Sequence, residues 1–364
     1  MTVNGVIEIL EELAPLDYAE GFDNVGLLVG DSQMKVKGIL VTLDTLEHVV
    51  DEAIANNCNL IVSFHPIIFD GLKKLTGRNY VERTVLKAIK NDIAIYSPHT
   101  ALDNSFNGVN AKICEVLELI DRRILIPQKG TIKKLVTYVP ADAADKLREE
   151  LFKAGAGTIG NYDNCSFTTI GKGSYRPGEN TNPLKGEKGK THIDEEVMIS
   201  LTYPKMDEHK ILTSLKKNHP YEEVAYEVTT LENTNQHIGM GMVAELEEPM
   251  AEEVFLTFLK KKMNATVVRH SELIGKPVKR VAVLGGSGAF AIRAAKQAKA
   301  DIFVTADIKY HQFYEAEKQM VIADIGHFET EQFTKTLLVD YLTKKIPNFA
   351  IRLSESITNP IKYF

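Results

Sequence analysis

The sequence predicts an α/β fold: a discontinuous α/β domain with mixed, mainly parallel sheets, interrupted by an inserted ferredoxin-like α+β domain. Three observations carry this expectation. Over the first 127 residues, short apolar runs alternate with helix-period segments, the order that builds a mainly parallel sheet covered by helices. From about Gln128 the order becomes strand, helix, strand, strand, helix, strand, the split βαββαβ unit. After about Asn233 the α/β alternation resumes. The expected domains are therefore residues 1–127 with 233–364, and residues 128–232. A chain of 364 residues is long for a single core, which agrees with two domains.

Each element has a local reason. Thr2 is placed to N-cap a first helix whose apolar face carries Val6, Ile7, Leu10 and Leu13, with Pro15 past its end. Apolar runs at 25–29, 38–43, 60–64 and 93–96 read as strands buried on both faces, because polar alternation is missing from them. Helical patterns at 46–55 and 81–90 separate the later runs, and another follows at 108–119. In the insert, strands are expected at 135–139, 167–171, 196–203 and 224–229, with helices at 141–154 and 207–218. Residues 173–191 are rich in Gly, Pro, Asn and Lys and read as an exposed, mobile loop. Beyond 233, strands are expected at 281–284, 302–305 and 320–323, with helices between and after them.

Bulk properties narrow the class of function. The net charge of −6 and pI near 6.0 argue against a generally basic nucleic-acid surface. No apolar stretch approaches the ~18 residues of a membrane-spanning helix. The segment Met1-Thr2-Val3-Asn4-Gly5 lacks the basic patch and apolar run of a signal peptide. Cys58, Cys114 and Cys165 are odd in number and far apart, poor material for a disulfide framework or a Cys-rich zinc site. That cysteine usage fits a reducing cytoplasm.

Four segments place polar chemistry directly after predicted strands, where open α/β sheets bind ligands. They are Ser63-Phe64-His65-Pro66, Pro98-His99-Thr100-Ala101-Leu102-Asp103-Asn104, Thr305-Ala306-Asp307-Ile308-Lys309-Tyr310-His311 and Gly326-His327-Phe328-Glu329-Thr330-Glu331. His327 and Glu331 are four apart, so on a helix they share one face, a spacing that suits two ligands of one metal. Plainer readings stand beside each. His65-Pro66 reads more often as a turn than as a ligand. Asp103-Asn104 and Asp307 read as helix caps, and Glu331 as a solvated charge on an exposed helix. Convergence of all four at strand ends favours a metal site, and imidazole with carboxylate suits zinc, iron or manganese. Gly285-Gly286-Ser287-Gly288 is either a tight strand-to-helix turn or an anion cradle of backbone N–H groups. It lacks the Lys-Ser/Thr pair of a P-loop.

Together with Phe22-Asp23-Asn24-Val25-Gly26-Leu27, these segments resemble the dinuclear-metal proteins called GTP cyclohydrolase 1 type 2 homologues, the NIF-three-like (DUF34) family. The middle of the chain, with Asn161-Tyr162 and His219-Pro220-Tyr221-Glu222-Glu223-Val224-Ala225-Tyr226, resembles the inserted PII/CutA-like domain of the longer bacterial members. The resemblance implies two divalent ions per chain, zinc first with iron or manganese as alternatives, and the ligands His65, Asp103, His327 and Glu331. It implies a ring-shaped homohexamer and a metal-dependent hydrolase acting on a small-molecule substrate, a nucleotide such as GTP. The alternative is a non-enzymatic metal-handling or regulatory scaffold. One departure stands out: the family commonly has two adjacent histidines before the proline, and here the first is Phe64. His99 or Asp307 is then expected in an outer or substituting role, with His99 the better placed.

Overall fold

The computed structural model describes residues 1–160 and 162–364. Asn161, part of the resemblance in the middle of the chain, lies outside the described residues. The chain divides into two compact units, Met1–Pro127 with Gln236–Phe364, and Gln128–Asn235.

In the first unit, α1 (Val3–Leu13) starts at Thr2, whose side-chain oxygen accepts the Gly5 N–H at 3.3 Å. It buries Val3, Val6, Ile7 and Leu10, each worth about 1.5–3 kcal/mol when fully removed from water. There follow β1 (Gly26–Val29), β2 (Ile39–Thr42), α2 (Glu47–Ala55), β3 (Leu60–Ser63), α3 (Tyr80–Lys90) and β4 (Ala94–Ser97). The short α4 (His99–Asp103), α5 (Val109–Val116) and β5 (Ile120–Pro127) complete the N-terminal segment.

The insert contributes β6 (Ile132–Pro140), α6 (Ala144–Lys153), β7 (Phe167–Tyr175), β8 (His192–Pro204), α7 (Glu208–Asn218) and β9 (Tyr226–Thr230). The chain then returns to the first unit through β10 (Gly239–Met250), α8 (Glu252–Lys262), β11 (Arg269–His270), β12 (Val278–Ser287) and α9 (Ile292–Gln297). It ends with β13 (Ile302–Ala306), β14 (Val321–Asp324), α10 (His327–Glu331), α11 (Thr334–Lys345) and β15 (Ile351–Leu353).

Among the described residues the first unit holds a five-stranded sheet, β1-β4-β3-β2-β15, and a six-stranded one, β11-β14-β13-β12-β10-β5. The first is mainly parallel, with only β1 antiparallel to its neighbour. Every residue of β2, β3 and β4 is buried, as expected of strands covered on both faces. The second sheet departs from the expectation. Only β12-β13-β14 is parallel, while β10, β5 and β11 pair antiparallel. The reading of apolar runs missed β5 because Asp121-Arg122-Arg123, directly after its first residue, interrupt the apolar signal. One core joins both sheets: Val62, Phe64, Tyr96 and Leu102 belong to the same buried cluster as Val283, Val304 and Ala323.

The second unit is an antiparallel sheet in the order β7-β8-β6-β9. Leu135, Val139, Ile199, Leu201 and Tyr203 bury against Leu147 and Leu151 of α6 and Ile211 and Leu215 of α7. Side chains alternate along a strand, so Tyr138, Glu196 and Met198 face away from those helices. The segment read as a loop from 173 begins later, since β7 runs to Tyr175. It is tied by hydrogen bonds from the Gly189 N–H to the Pro177 carbonyl, 2.8 Å, and from the Lys188 Nζ to the Glu179 carbonyl, 2.7 Å. Among the described residues no helix is long and apolar enough to cross a membrane.

Candidate metal centre

Parallel strands deliver their polar residues to one end of a sheet. Asp44 follows β2, His65 follows β3 and His99 opens α4 just past β4. In the other sheet Asp307 follows β13, and β14 leads through Gly326 into α10. Gly326 has φ +101°, a conformation that glycine adopts at little cost. It lets the chain turn so that His327 and Glu331 share one face of α10.

The result is a convergence of three ligand atoms. Glu331 Oε2 lies 3.0 Å from His65 Nε2 and 3.2 Å from His327 Nε2. His65, His327 and Glu331 form a group whose ligand atoms lie within 4.8 Å of one another. Each imidazole is held from behind: Asp44 Oδ1 meets His65 Nδ1 at 2.8 Å, and Asp307 Oδ2 meets His327 Nδ1 at 2.7 Å. A carboxylate at Nδ1 fixes that nitrogen as the N–H and turns the Nε2 lone pair inward.

The electrostatics follow from burial and from these pairings. Burial disfavours charge on His65, but Asp44 and then Glu331 outweigh it and hold its pKa up to about 10. For His327 burial is again opposed, here by Glu331 and then Asp307, and the value rises to about 9. Burial alone would raise Glu331, yet its two imidazole partners bring it down to about 2. Asp44 is lowered, its burial overcome chiefly by the bond to His65. Asp103 goes the other way, raised well above the usual carboxylate range by burial and then by the charge of Glu331.

These residues fit a cation. Glu331 is 3% exposed, and with both Nδ1 atoms committed to carboxylates its Oε2 has a donor only where the facing Nε2 atoms carry protons. Two lone-pair nitrogens and an anionic oxygen facing one another need a positive charge between them, from protons or from a metal ion. Asp103 closes α4, and its buried Oδ1 likewise has no partner. It lies within electrostatic reach of Glu331, His65 and His327 but is not one of the three converging residues.

Asp103 caps no helix, since Gly108 occupies the N-cap of α5. Asp307 binds His327, and the N-cap of the following 3-10 turn is Lys309. His311 is exposed on that turn. His99 is not one of the three converging residues, but it is braced in the same way, its Nδ1 2.8 Å from both carboxylate oxygens of Asp23, and its ring centroid lies 5.4 Å from that of His65. Phe64 is fully buried, its ring centroid 4.9 Å from that of His65 and 5.6 Å from that of His99.

The glycine segment is a packing device. A Cβ on Gly286 would sit 2.4 Å from Glu331 Oε1, and one on Gly288 1.9 Å from Thr305 Oγ1. The N–H groups of Gly285, Gly286 and Gly288 donate internally, to Asn110 Oδ1, Thr330 Oγ1 and the Ala306 carbonyl. Sequence reasoning missed Asp44. Its signal was the same as that of His65, a polar residue just past an apolar run, here Ile39-Leu40-Val41.

Fold and site thus define a mixed α/β protein in which a histidine–carboxylate cluster assembles from both ends of the chain. The sequence description of Duf34/NIF3 (NGG1p interacting factor 3) matches residues 1–360. The chain belongs to that family. A Bacillus subtilis (strain 168) protein named GTP cyclohydrolase 1 type 2 homolog is 36% identical over 374 residues, covering 100% of this chain and 99% of its own. A Staphylococcus epidermidis protein of the same name is 32% identical, with 100% of both chains covered. The crystal structure of a Bacillus cereus protein related to NIF3 superposes with a TM-score of 0.84 at 34% identity, covering 100% of this chain and 99% of that one.

Proposed function

We propose that this protein binds divalent metal in a two-ion cleft with His65, Asp103, His327 and Glu331 as ligands, zinc being the first choice of ion. We further propose that it is a metal-dependent hydrolase acting on a nucleotide such as GTP. The observation that carries the reading is the meeting of two Nε2 atoms with one buried carboxylate oxygen, each imidazole braced by a carboxylate at Nδ1. A nitrogen and oxygen donor set of this kind suits zinc, iron or manganese.

Bound there, a divalent ion would acidify water and polarise a carbonyl or ring carbon. The chain's own residues do the positioning. Asp44 and Asp307 keep the tautomer in which Nε2 accepts, and Glu331 supplies the negative charge between the rings. Asp103, with an unpartnered Oδ1, is the carboxylate left for a second ion. Phe64 brings no ligand atom to the place where the resemblance implies a histidine, so the second ion rests on Asp103 and Glu331. The order β9-β6-β8-β7, antiparallel with both helices on one face, supports reading the second unit as a ferredoxin-like insert. A ring-shaped homohexamer and a cytoplasmic location belong to the same reading, and the free state of the three cysteines agrees with a reducing compartment.

A metal-handling role without catalysis is the second reading. What favours it is the glycine turn, where the N–H groups at 285, 286 and 288 are already committed and offer nothing to a triphosphate. Formate release from GTP by the zinc-, manganese- and iron-loaded protein separates the two. Release that disappears in Glu331→Gln supports the hydrolase. Tight metal binding with release no faster than the blank supports the second reading.

A further inference from the structure

The second unit contains a cavity of about 580 Å³ on the sheet face turned away from its helices, within the ~300–1,000 Å³ of ordinary small-molecule sites. Its floor follows from strand register. Thr169 pairs with Met198, and Met198 with Tyr138, so the three form one row across β7, β8 and β6. Gly171 pairs with Glu196 in the next row. Tyr175 and Tyr221 stand over this floor with ring centroids 6.1 Å apart. The loop after β7 is strapped across by two bonds: Tyr175 OH donates to the Lys185 carbonyl at 3.0 Å, and the Asn182 N–H donates to Glu222 Oε1 at 2.8 Å.

The polar chemistry of the floor is negative. Glu196 Oε1 accepts the Tyr221 hydroxyl at 2.7 Å. Its Oε2 projects over Gly173, where a Cβ would lie only 2.0 Å away, so the absence of a side chain there leaves the carboxylate room. Glu196 is half-buried, whereas the lining cations Lys172 and Arg176 are exposed. Glu222 and Glu223 add further negative charge to the wall. Gly171 lies beside this carboxylate, and a Cβ there would meet nothing within 4 Å.

We propose that this cavity is a binding site for a small organic cation with an apolar body, such as an aralkylammonium. Tyrosine faces attract a cation through the ring quadrupole, Glu196 neutralises it, and Met198 with the tyrosine edges receives the apolar part. All of these residues belong to the second unit, and none to the histidine–carboxylate cluster.

The test uses the full-length protein labelled with [methyl-13C]methionine, so that the Met198 methyl reports from the floor; Met198→Leu assigns its resonance. Titration with benzyltrimethylammonium is expected to shift that resonance saturably, while phenylacetate, similar in size but anionic, produces no saturable shift. Glu196→Gln keeps the acceptor for Tyr221 and is expected to weaken the cation at least tenfold. Gly171→Leu, which fills open space, abolishes the shift while the other methionine resonances stay in place. No saturable response to the cation, an equal response to phenylacetate, or wild-type binding by Glu196→Gln would each overturn the proposal. Should Gly171→Leu disturb the whole methionine spectrum, the Glu196→Gln titration decides.

Discussion

Glu331 Oε2 lies 3.0 Å from His65 Nε2, joining a residue just past β3 to one on a helix near the end of the chain. The contact closes the first unit chemically as well as spatially, because the same oxygen is 3.2 Å from His327 Nε2. A carboxylate buried to 3% exposure is costly unless charge is supplied to it, and the three groups together form a ligand set.

The carboxylates behind the imidazoles should matter nearly as much as the ligands. Asp307→Ala is expected to weaken zinc binding about 10–100-fold, measured by competition with a chromophoric chelator. Asp307→Asn still offers an oxygen to the His327 N–H and should recover part of the loss. Unchanged affinity in Asp307→Ala would show that His327 is oriented by something else.

Gly286 tests whether the glycine turn exists to make room for Glu331. Gly286→Ala and Gly275→Ala both place a side chain at positive φ, +72° and +77°, but only the first meets an obstacle, Glu331 Oε1 at 2.4 Å. Each should cost roughly 1 kcal/mol in urea unfolding from the backbone alone. Only Gly286→Ala should also lose metal. Equal metal content in the two variants would remove the turn from the account.

Asp23 gives a pH dependence. Burial would raise its pKa, but bonds from His99 and Thr100 outweigh this and bring it from the ordinary 3.8 to about 2. A carboxyl more acidic when folded stabilises the protein fully above the unfolded value, and that contribution is lost as pH falls from about 3.8 towards 2. The side chain is inaccessible to solvent, so the shift corresponds to about 2 kcal/mol. Asp23→Asn should therefore unfold at lower urea concentration at pH 7, with the gap to wild type narrowing below pH 4. A gap independent of pH would mean the bonds to His99 and Thr100 are not what Asp23 contributes.

Phe64→His restores the histidine that the resemblance implies. Phe64 is fully buried against two imidazoles, so the change should cost stability, roughly 1–3 kcal/mol for an added buried polar group. If the second ion lacks only this ligand, metal per chain rises. Unchanged stoichiometry would show that another group already serves it.

Much of this molecule was legible in its sequence. The buried strands β2, β3 and β4 announce themselves as uninterrupted apolar runs, and polar residues just past them marked His65 and, beyond β14, His327. What escaped did so for physical reasons. β5 carries three charged residues directly after Ile120, and the antiparallel pairs of the second sheet leave no long apolar run to read. Glu331 was read both as a ligand sharing a face with His327 and as a solvated charge, because one sequence cannot tell which face of a five-residue helix turns inward. Asp44 was missed although it too follows an apolar run, and Asp307 was named only for an outer or substituting role, because a bond to an imidazole distant in sequence leaves no trace in periodicity.

Metal content per chain is the most direct measurement, made by plasma mass spectrometry on protein purified without chelator or affinity metal and then loaded with zinc. At least one tightly held ion per chain is expected, two if Asp103 and Glu331 suffice for the second, with marked loss in His327→Ala, Asp103→Ala and Glu331→Gln while each still folds. Wild-type protein that holds no zinc, iron or manganese after loading would contradict that expectation.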